Sequence, residues 1–324
     1  MIKKAKILVP AVCLILGLLS PVLVQAQGGL TISDSSAKAS FPLQLNFNLS
    51  AESDTDIDDI RLHYTVEREG FAQVTSEVYI EFEPDTAVDA EWSWDMRRTG
   101  GLPPGSAITY WWTVADISGA KVETSLETVH FNDNRYLWLQ LTEGMVTIYW
   151  YEGEFSLATE LMAAAQQALA RLAEDSGVQL EKPAKIYIYA STRDLQGAMI
   201  FPQEWTGGAA FTEYGIIVLG INQGNIDWGK GAISHELAHL VVHQMTLNPY
   251  IGLPTWLSEG LATYNEGALE QQLARYLERA VTNDGLISVR SLSSPFSAHA
   301  EESYLSYGQS YSLVEFLVTT YGQN

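Results

Sequence analysis

The sequence predicts a two-domain chain in which an all-β sandwich is followed by an α+β domain. Over residues 41–134, apolar and polar residues alternate in short runs that are separated by turns rich in Gly, Pro and Asp. This pattern predicts six or seven strands. Over residues 135–324, strand-like runs mix with amphipathic stretches, which predict helices that include about 255–265, 268–282 and 303–320. A chain of 324 residues with 47% apolar and 18% charged residues suits two folded domains, each with its own core.

The first 26 residues have the layout of a secretory signal peptide. Three lysines precede a long apolar run, which ends on small residues at Ala26. We therefore expect cleavage after Ala26 and a secreted or cell-envelope location. The alternative is an uncleaved membrane anchor, because the apolar run is nearly long enough to span a bilayer, and only in that case do we expect membrane association. The small, polar residues 27–40 are interpreted as a linker.

The composition argues against disulfide bonds, nucleic-acid binding and a calcium-binding loop. The only cysteine, Cys13, lies in the signal segment, so the mature chain would have no disulfide. A net charge of −21 argues against nucleic acid as a partner. The acidic run Asp54–Asp59 starts like a calcium-binding loop, but Asp59 and Thr65 stand where that loop needs Gly and Glu, so we interpret it as a solvated loop between strands. The sequence makes no prediction about oligomeric state.

The stretch "GAISHELAHLVVHQM" carries a candidate metal site. His235 and His239 are one helical turn apart, offset by about 40° and about 6 Å, so both imidazoles can converge on one ion. Glu236 is rotated by about 100° and can instead reach a water on that ion, which is the HExxH arrangement with glutamate as general base. The alternative is a helix whose polar residues fall at these offsets by chance. His243 lies about 12 Å along the axis from His235, too far to share the ion.

A third ligand is available on the next predicted helix. The segment "LPTWLSEGLATY" supplies Glu259, with 19 residues between it and His239. The connection "NPYIGLP" contains Pro and Gly, so the chain can turn back there. Three protein ligands are typical of a catalytic zinc, whereas a structural zinc usually has four. Glu266, seven residues beyond Glu259, is interpreted as an exposed carboxylate at the helix end.

HExxH followed by "WLSEG" at this spacing resembles the gluzincin metallopeptidases, in particular the peptidase MA-like families of bacteria. The resemblance covers roughly residues 136–324. It implies a zincin-type domain that acts on peptides or proteins, with one Zn²⁺ per chain bound by His235, His239 and Glu259. It also implies that Glu236 activates a zinc-bound water and shuttles its proton.

Two further segments resemble parts of these peptidases. The stretch "YGQSYSLVEFL" is similar to one in aminopeptidase-type gluzincins, which implies that Tyr307 donates a hydrogen bond to the oxyanion. The alternative is aromatic packing on an amphipathic helix. The stretch "GGAAFTEYGIIVLGI" is similar to the strand that borders the cleft in zincins, which implies substrate contacts at Gly207, Gly208 and Ala209. The alternative there is an ordinary turn before a core strand.

Two function hypotheses follow. The first is a secreted zinc metallopeptidase that cleaves within chains, because the glutamate motif with which aminopeptidases hold a free amine is absent. The second is a non-catalytic surface binding protein with a structural metal site. For the N-terminal domain, "PPGSAITYWWTVADISGAKVET" resembles immunoglobulin-like or fibronectin type III-like modules of bacterial surface proteins. Related peptidase domains continue with further helices, so the sequence leaves open whether the domain is complete at Asn324.

Overall fold

A computed structural model describes residues 29–322, except for residues 71, 204–205, 249 and 298. The expected signal peptide, residues 1–26, lies outside the described residues. Among the helices that the structure describes, none combines the length and the apolar character needed to cross a bilayer.

The N-terminal part is a seven-stranded antiparallel sheet. Its strands are β1 (Thr31–Ser40), β2 (Gln44–Val66), β3 (Thr75–Tyr79), β4 (Asp85–Asp95), β5 (Ser106–Asp116), β6 (Lys121–Glu123) and β7 (Glu127–Phe131). The 23-residue strand β2 pairs with β1 and β4 along its first half, and with β3 and β5 mainly along its second half. One long strand therefore joins all seven into a single curled sheet. An immunoglobulin-like or fibronectin-like sandwich of two sheets stays a prediction.

Two sequence interpretations of this part are wrong. Residues 31–40, which were assigned to the linker 27–40, form β1. This strand lies at the sheet edge and has no fully buried side chain, so its small polar residues lack the apolar alternation that marks a strand. The run Asp54–Asp59 lies inside β2 and not in a loop. Its pairing with β4 and β5 is interrupted around Ile57, so a bulge-like irregularity takes the place of the expected loop.

The C-terminal part is a mixed five-stranded sheet covered by helices. Its strands, in the order β11-β12-β10-β9-β8, are β8 (Leu139–Glu143), β9 (Val146–Trp150), β10 (Ala184–Tyr189), β11 (Gly208–Phe211) and β12 (Ile216–Gly220). The central strands β9, β10 and β12 are parallel, and the edge strands β8 and β11 are antiparallel to their neighbours. The helices are α1 (Phe155–Ser176), α2 (Thr192–Gln196), α3 (Ile226–Thr246), α4 (Thr255–Glu266), α5 (Gln271–Thr282), α6 (Val289–Leu292) and α7 (Ala300–Tyr321).

The second sheet is the middle layer of the molecule. On β10, Ile186 and Ile188 belong to the core formed with α1 and α3. The alternating residues Tyr187 and Tyr189 belong to the core that contains Trp112 of β5. The C-terminal part thus has a core of its own, whereas the core of the N-terminal sheet is shared with one face of the second sheet, which the expectation of two separate cores did not include.

Polar contacts also fasten the two parts together. The fully buried carboxylate of Asp133 accepts a hydrogen bond from Arg135 at 2.6 Å and another from the Tyr189 hydroxyl at 2.9 Å. Arg68, just after β2, forms an ion pair of 3.3 Å with Glu213, just after β11. The edge strand β11 is thus held against both parts of the chain.

Candidate metal centre and active site

Helix α3 presents its histidines away from the second sheet. Its residues Ile233, Leu237 and Leu240 are buried in the core with α1 and the sheet. His235 and His239 fall on the opposite side of a helix with 3.6 residues per turn. Their side chains therefore face the C-terminal helices, and they are about 14% and 15% exposed.

Helix α4 is fixed beside α3 so that Glu259 meets the histidines. The Asn265 side chain donates a hydrogen bond of 2.7 Å to the carbonyl of Ser234 on α3. On the other side, a Cβ at Gly260 would lie 2.6 Å from the carbonyl oxygen of Ser310 on α7. Only glycine allows α4 and α7 to approach so closely. The helix that carries the predicted third ligand is thus clamped from two directions.

Three ligand atoms form a nearly equilateral triangle. Nε2 of His235 lies 3.2 Å from Nε2 of His239 and 3.3 Å from Oε2 of Glu259, and the third edge is 3.5 Å. A tetrahedral zinc with bonds of about 2.0–2.2 Å has edges of about 3.3–3.6 Å between its ligands. The structure therefore brings together the three predicted ligands in a cluster that could hold a metal ion. His243 is not part of this cluster, and its buried Nε2 has no hydrogen-bond partner among the described residues.

Both imidazoles are oriented by partners on α4. Nδ1 of His235 donates to Oε1 of Glu266 at 2.8 Å, and Nδ1 of His239 lies 3.2 Å from the Ser258 hydroxyl. With each Nδ1 engaged, each Nε2 is directed at Glu259, as a metal ligand requires. Sequence reasoning missed this role of Glu266. The available signal was its seven-residue spacing from Glu259, which puts both on one face of α4.

The ligand cluster is electrostatically coupled. Burial opposes protonation of His235, but its hydrogen bonds to Glu259 and Glu266 outweigh this and raise its pKa to about 10. Burial acts to raise the pKa of Glu259, but hydrogen bonds from His235 and His239 hold that pKa well below its usual range. Without a metal, His235 therefore holds its proton between two carboxylates, and a cation that bound there would displace this proton and be compensated by Glu259.

Glu236 lies between α3 and the edge strand. Its Oε1 is only 3.0 Å from where a Cβ of Gly208 would lie, so its carboxylate occupies space that this glycine leaves open. Burial raises the pKa of Glu236, and nearby carboxylates add to the shift although the histidines oppose it. A half-buried carboxylate with a raised pKa is a better proton acceptor near neutral pH.

Tyr307 lies at the same site. Its ring centroid is 6.2 Å from that of His235, and Phe296 packs edge-on against it at 5.1 Å. Burial, together with the carboxylates of Glu259 and Glu236, raises the pKa of Tyr307 well above its usual value. The phenol therefore keeps its proton and can donate a hydrogen bond. The two interpretations, oxyanion donor and aromatic packing, are both compatible with this position.

The three predicted substrate-binding residues are placed unequally. Gly208 borders the site, because a Cβ there would lie 3.0 Å from Oε1 of Glu236, whereas Gly207 lies against the indole of Trp228. The side chain of Ala209 packs toward the core shared with the N-terminal sheet. The amide of Gly220 donates to the carbonyl of Gly207 at 2.9 Å. In an antiparallel pair, hydrogen-bonded positions alternate along the strand. The backbone groups of Ala209 therefore face β12, and those of Gly208 face the open edge.

Residues 164–324 match the sequence model of the peptidase MA superfamily, and this segment contains the whole metal cluster and Glu236. The match supports a peptidase MA-like domain and a peptidase-like function for the C-terminal part. No curated protein matches the chain.

Several solved structures show weak similarity. A Br derivative of BhCBM56 is 11% identical, with a TM-score of 0.23, over 33% of this chain and 96% of that one. A β-1,3-glucan-binding domain of carbohydrate-binding module family 56 is 18% identical, with a TM-score of 0.19, over 30% and 95%. OgpA from Akkermansia muciniphila is 10% identical, with a TM-score of 0.25, over 35% of this chain and 31% of its own length. Similarities this slight carry no argument about function.

Proposed function

We propose that this protein is a secreted zinc-dependent metallopeptidase that cleaves within peptide chains. The observation that carries the proposal is the triangle of His235, His239 and Glu259, with both imidazoles oriented through Nδ1 and with Glu236 beside it. Two imidazoles and one carboxylate are ligands that suit zinc, and three of them leave a position open for catalysis. The match to the peptidase MA superfamily supports the same class of reaction.

The residues around the triangle have separable roles. A zinc ion held there would polarise a peptide carbonyl and lower the pKa of bound water. Glu236 accepts the proton of the attacking water and returns it to the leaving amine, a task for which its raised pKa suits it. Tyr307, which stays protonated, donates a hydrogen bond to the oxyanion that develops on the carbonyl.

The open edge of β11 positions the substrate. Among the described strands, β11 pairs only with β12, so its outer backbone groups are available to an extended peptide. Gly208 presents these groups directly beside Glu236. A peptide that adds to this edge would place one of its carbonyls near the metal cluster. Because the site binds backbone along its length, cleavage within a chain is the expected outcome.

The N-terminal sheet supports the site through its contact with the end of β11 at Glu213. An immunoglobulin-like or fibronectin-like module on a secreted protein is the proposal for this part, and it rests on the sequence resemblance alone.

Cleavage of an unbiased peptide library tests the proposed function. Purified protein is incubated with the library as prepared, after treatment with a chelator, and after restoration with one equivalent of Zn²⁺. We expect internal cleavage that the chelator removes and zinc restores, with His239→Ala inactive as the matched control. Cleavage that survives complete metal removal would overturn the proposal. Tight metal binding with no cleavage would instead favour the non-catalytic binding protein.

A further inference from the structure

Trp228 lies on the same face of α3 as the predicted metal ligands. It precedes His235 by seven residues and His239 by eleven, which are close to whole numbers of helical turns. It is therefore about 10 Å along the axis from His235, on the side that faces away from the sheet. Its side chain is 42% exposed, whereas the sheet-facing residues Ile233 and Leu237 are fully buried.

The indole of Trp228 reaches across to the edge of the second sheet. A Cβ at Gly207 would lie 2.9 Å from Cη2 and 3.0 Å from Cζ2 of this ring. The next residue, Gly208, is the one whose missing side chain leaves room for Glu236. A continuous line of contacts thus runs from the indole, along two glycines, to the carboxylate of Glu236.

This arrangement is suited to a ligand. The indole of Trp228 is 42% exposed, so part of its surface is available to a ligand about 10 Å along α3 from His235. The indole packs directly on Gly207, which adds no side chain of its own, so the exposed part of the ring and the bare backbone of this glycine form one surface. Such a surface favours apolar and aromatic groups, which gain contact with the ring without losing hydrogen bonds to water.

We propose that Trp228 forms a specificity subsite that receives an aromatic or large aliphatic side chain of the substrate. The inference rests on the proposed peptidase function and adds the substrate preference. A peptide paired with β11 advances by about 3.3 Å per residue, and Gly207 is adjacent to Gly208. The preferred side chain therefore lies about one to three residues from the bond that is cleaved.

Two peptides that differ only at the preferred position, Phe in one and Ala in the other, test the subsite. The wild type favours the Phe peptide in kcat/KM. We expect Trp228→Ala to lower kcat/KM for the Phe peptide by about tenfold or more and to leave the Ala peptide nearly unchanged, with Trp228→Phe intermediate. The matched control is Phe316→Ala, which removes an exposed aromatic side chain from a different helix, α7. Metal content and Tm are measured for each variant to establish that it is folded and loaded.

Binding to Glu236→Gln separates the two proposals, because binding needs no turnover. By calorimetry, this variant should bind the Phe peptide more tightly than the Ala peptide, and adding Trp228→Ala should remove the difference. If the wild type cleaves peptides but Trp228→Ala changes both substrates equally or neither, the subsite is wrong and the peptidase stands. If the wild type cleaves nothing and the two peptides bind alike, both proposals fail.

Discussion

Nδ1 of His235 and Oε1 of Glu266 are 2.8 Å apart, and this contact joins the two helices of the metal cluster. Glu266 lies seven residues beyond Glu259, so α4 supplies one predicted ligand and also orients another. A carboxylate in this position fixes the imidazole and makes its Nε2 a stronger donor to a metal.

Replacing Glu266 should therefore weaken metal binding without removing a ligand. We expect Glu266→Ala to lower zinc affinity by about 10- to 100-fold, and Glu266→Gln to lower it less because an amide can still accept the hydrogen bond. Competition with a fluorescent chelator measures the affinity. Glu301→Ala, at an exposed site on α7, is the matched control. Unchanged affinity in Glu266→Ala would show that the contact has no orienting role.

Glu236 should reduce the stability of the metal-free protein at neutral pH. Burial raises its pKa above the usual 4.5. Its contribution to stability is therefore complete below about pH 4.5 and is lost as the pH rises through the folded pKa. At pH 8 we expect Glu236→Gln to unfold at a higher Tm than the wild type, by about 2–4 °C for each kcal/mol gained in the free energy of unfolding. At pH 4 the two proteins should have a similar Tm. Calorimetry with a chelator present measures both; a lower Tm at pH 8 would contradict the assignment.

Gly208 should tolerate no side chain. An added Cβ would lie 2.5 Å from Cδ2 of Leu219 and 3.0 Å from Oε1 of Glu236. We expect Gly208→Ala to displace Glu236 and to reduce kcat while one metal ion stays bound. Gly252→Ala is the control, because its Cβ would meet nothing within 4 Å. Equal kcat values for the two variants would show that the strand and Glu236 are not coupled.

Tyr307→Phe separates hydrogen bonding from packing. The variant keeps the ring between His235 and Phe296 and removes only the hydroxyl. If the phenol stabilises the oxyanion, kcat should fall by about 100- to 1000-fold with little change in KM or Tm. Steady-state kinetics on one cleaved peptide provides the comparison. Wild-type kcat in this variant would assign Tyr307 to aromatic packing.

The metal cluster was accessible to sequence analysis because helical periodicity relates His235 to His239 directly. Its third member, Glu259, could be placed because Pro and Gly marked a turn between two predicted helices. Contacts that depend on tertiary packing gave no such signal. The roles of Glu266 and Trp228 emerge only when α4 and β11 are packed against α3.

Several features of the N-terminal part could not be predicted from the sequence. Residues 31–40 have few apolar side chains, because an exposed edge strand is held by backbone hydrogen bonds, which leave no pattern in the sequence. The acidic run Asp54–Asp59 suggested a loop because charges usually mark one, but it lies inside β2, and within it Ile57 and Asp59 have partners on the neighbouring strands. The shared core likewise depends on which face of β10 packs against the N-terminal sheet. The alternation of side chains along β10 shows that the strand has two faces, but it does not show what each face contacts.

The most direct test of the central claim is peptide hydrolysis by Glu236→Gln, compared with the wild type at equal zinc content by elemental analysis. The substitution preserves the shape of the side chain and removes its capacity to accept a proton. We predict that the variant retains about one zinc per chain and loses at least about 100-fold in kcat. Wild-type hydrolysis by the zinc-loaded variant would contradict the proposed mechanism.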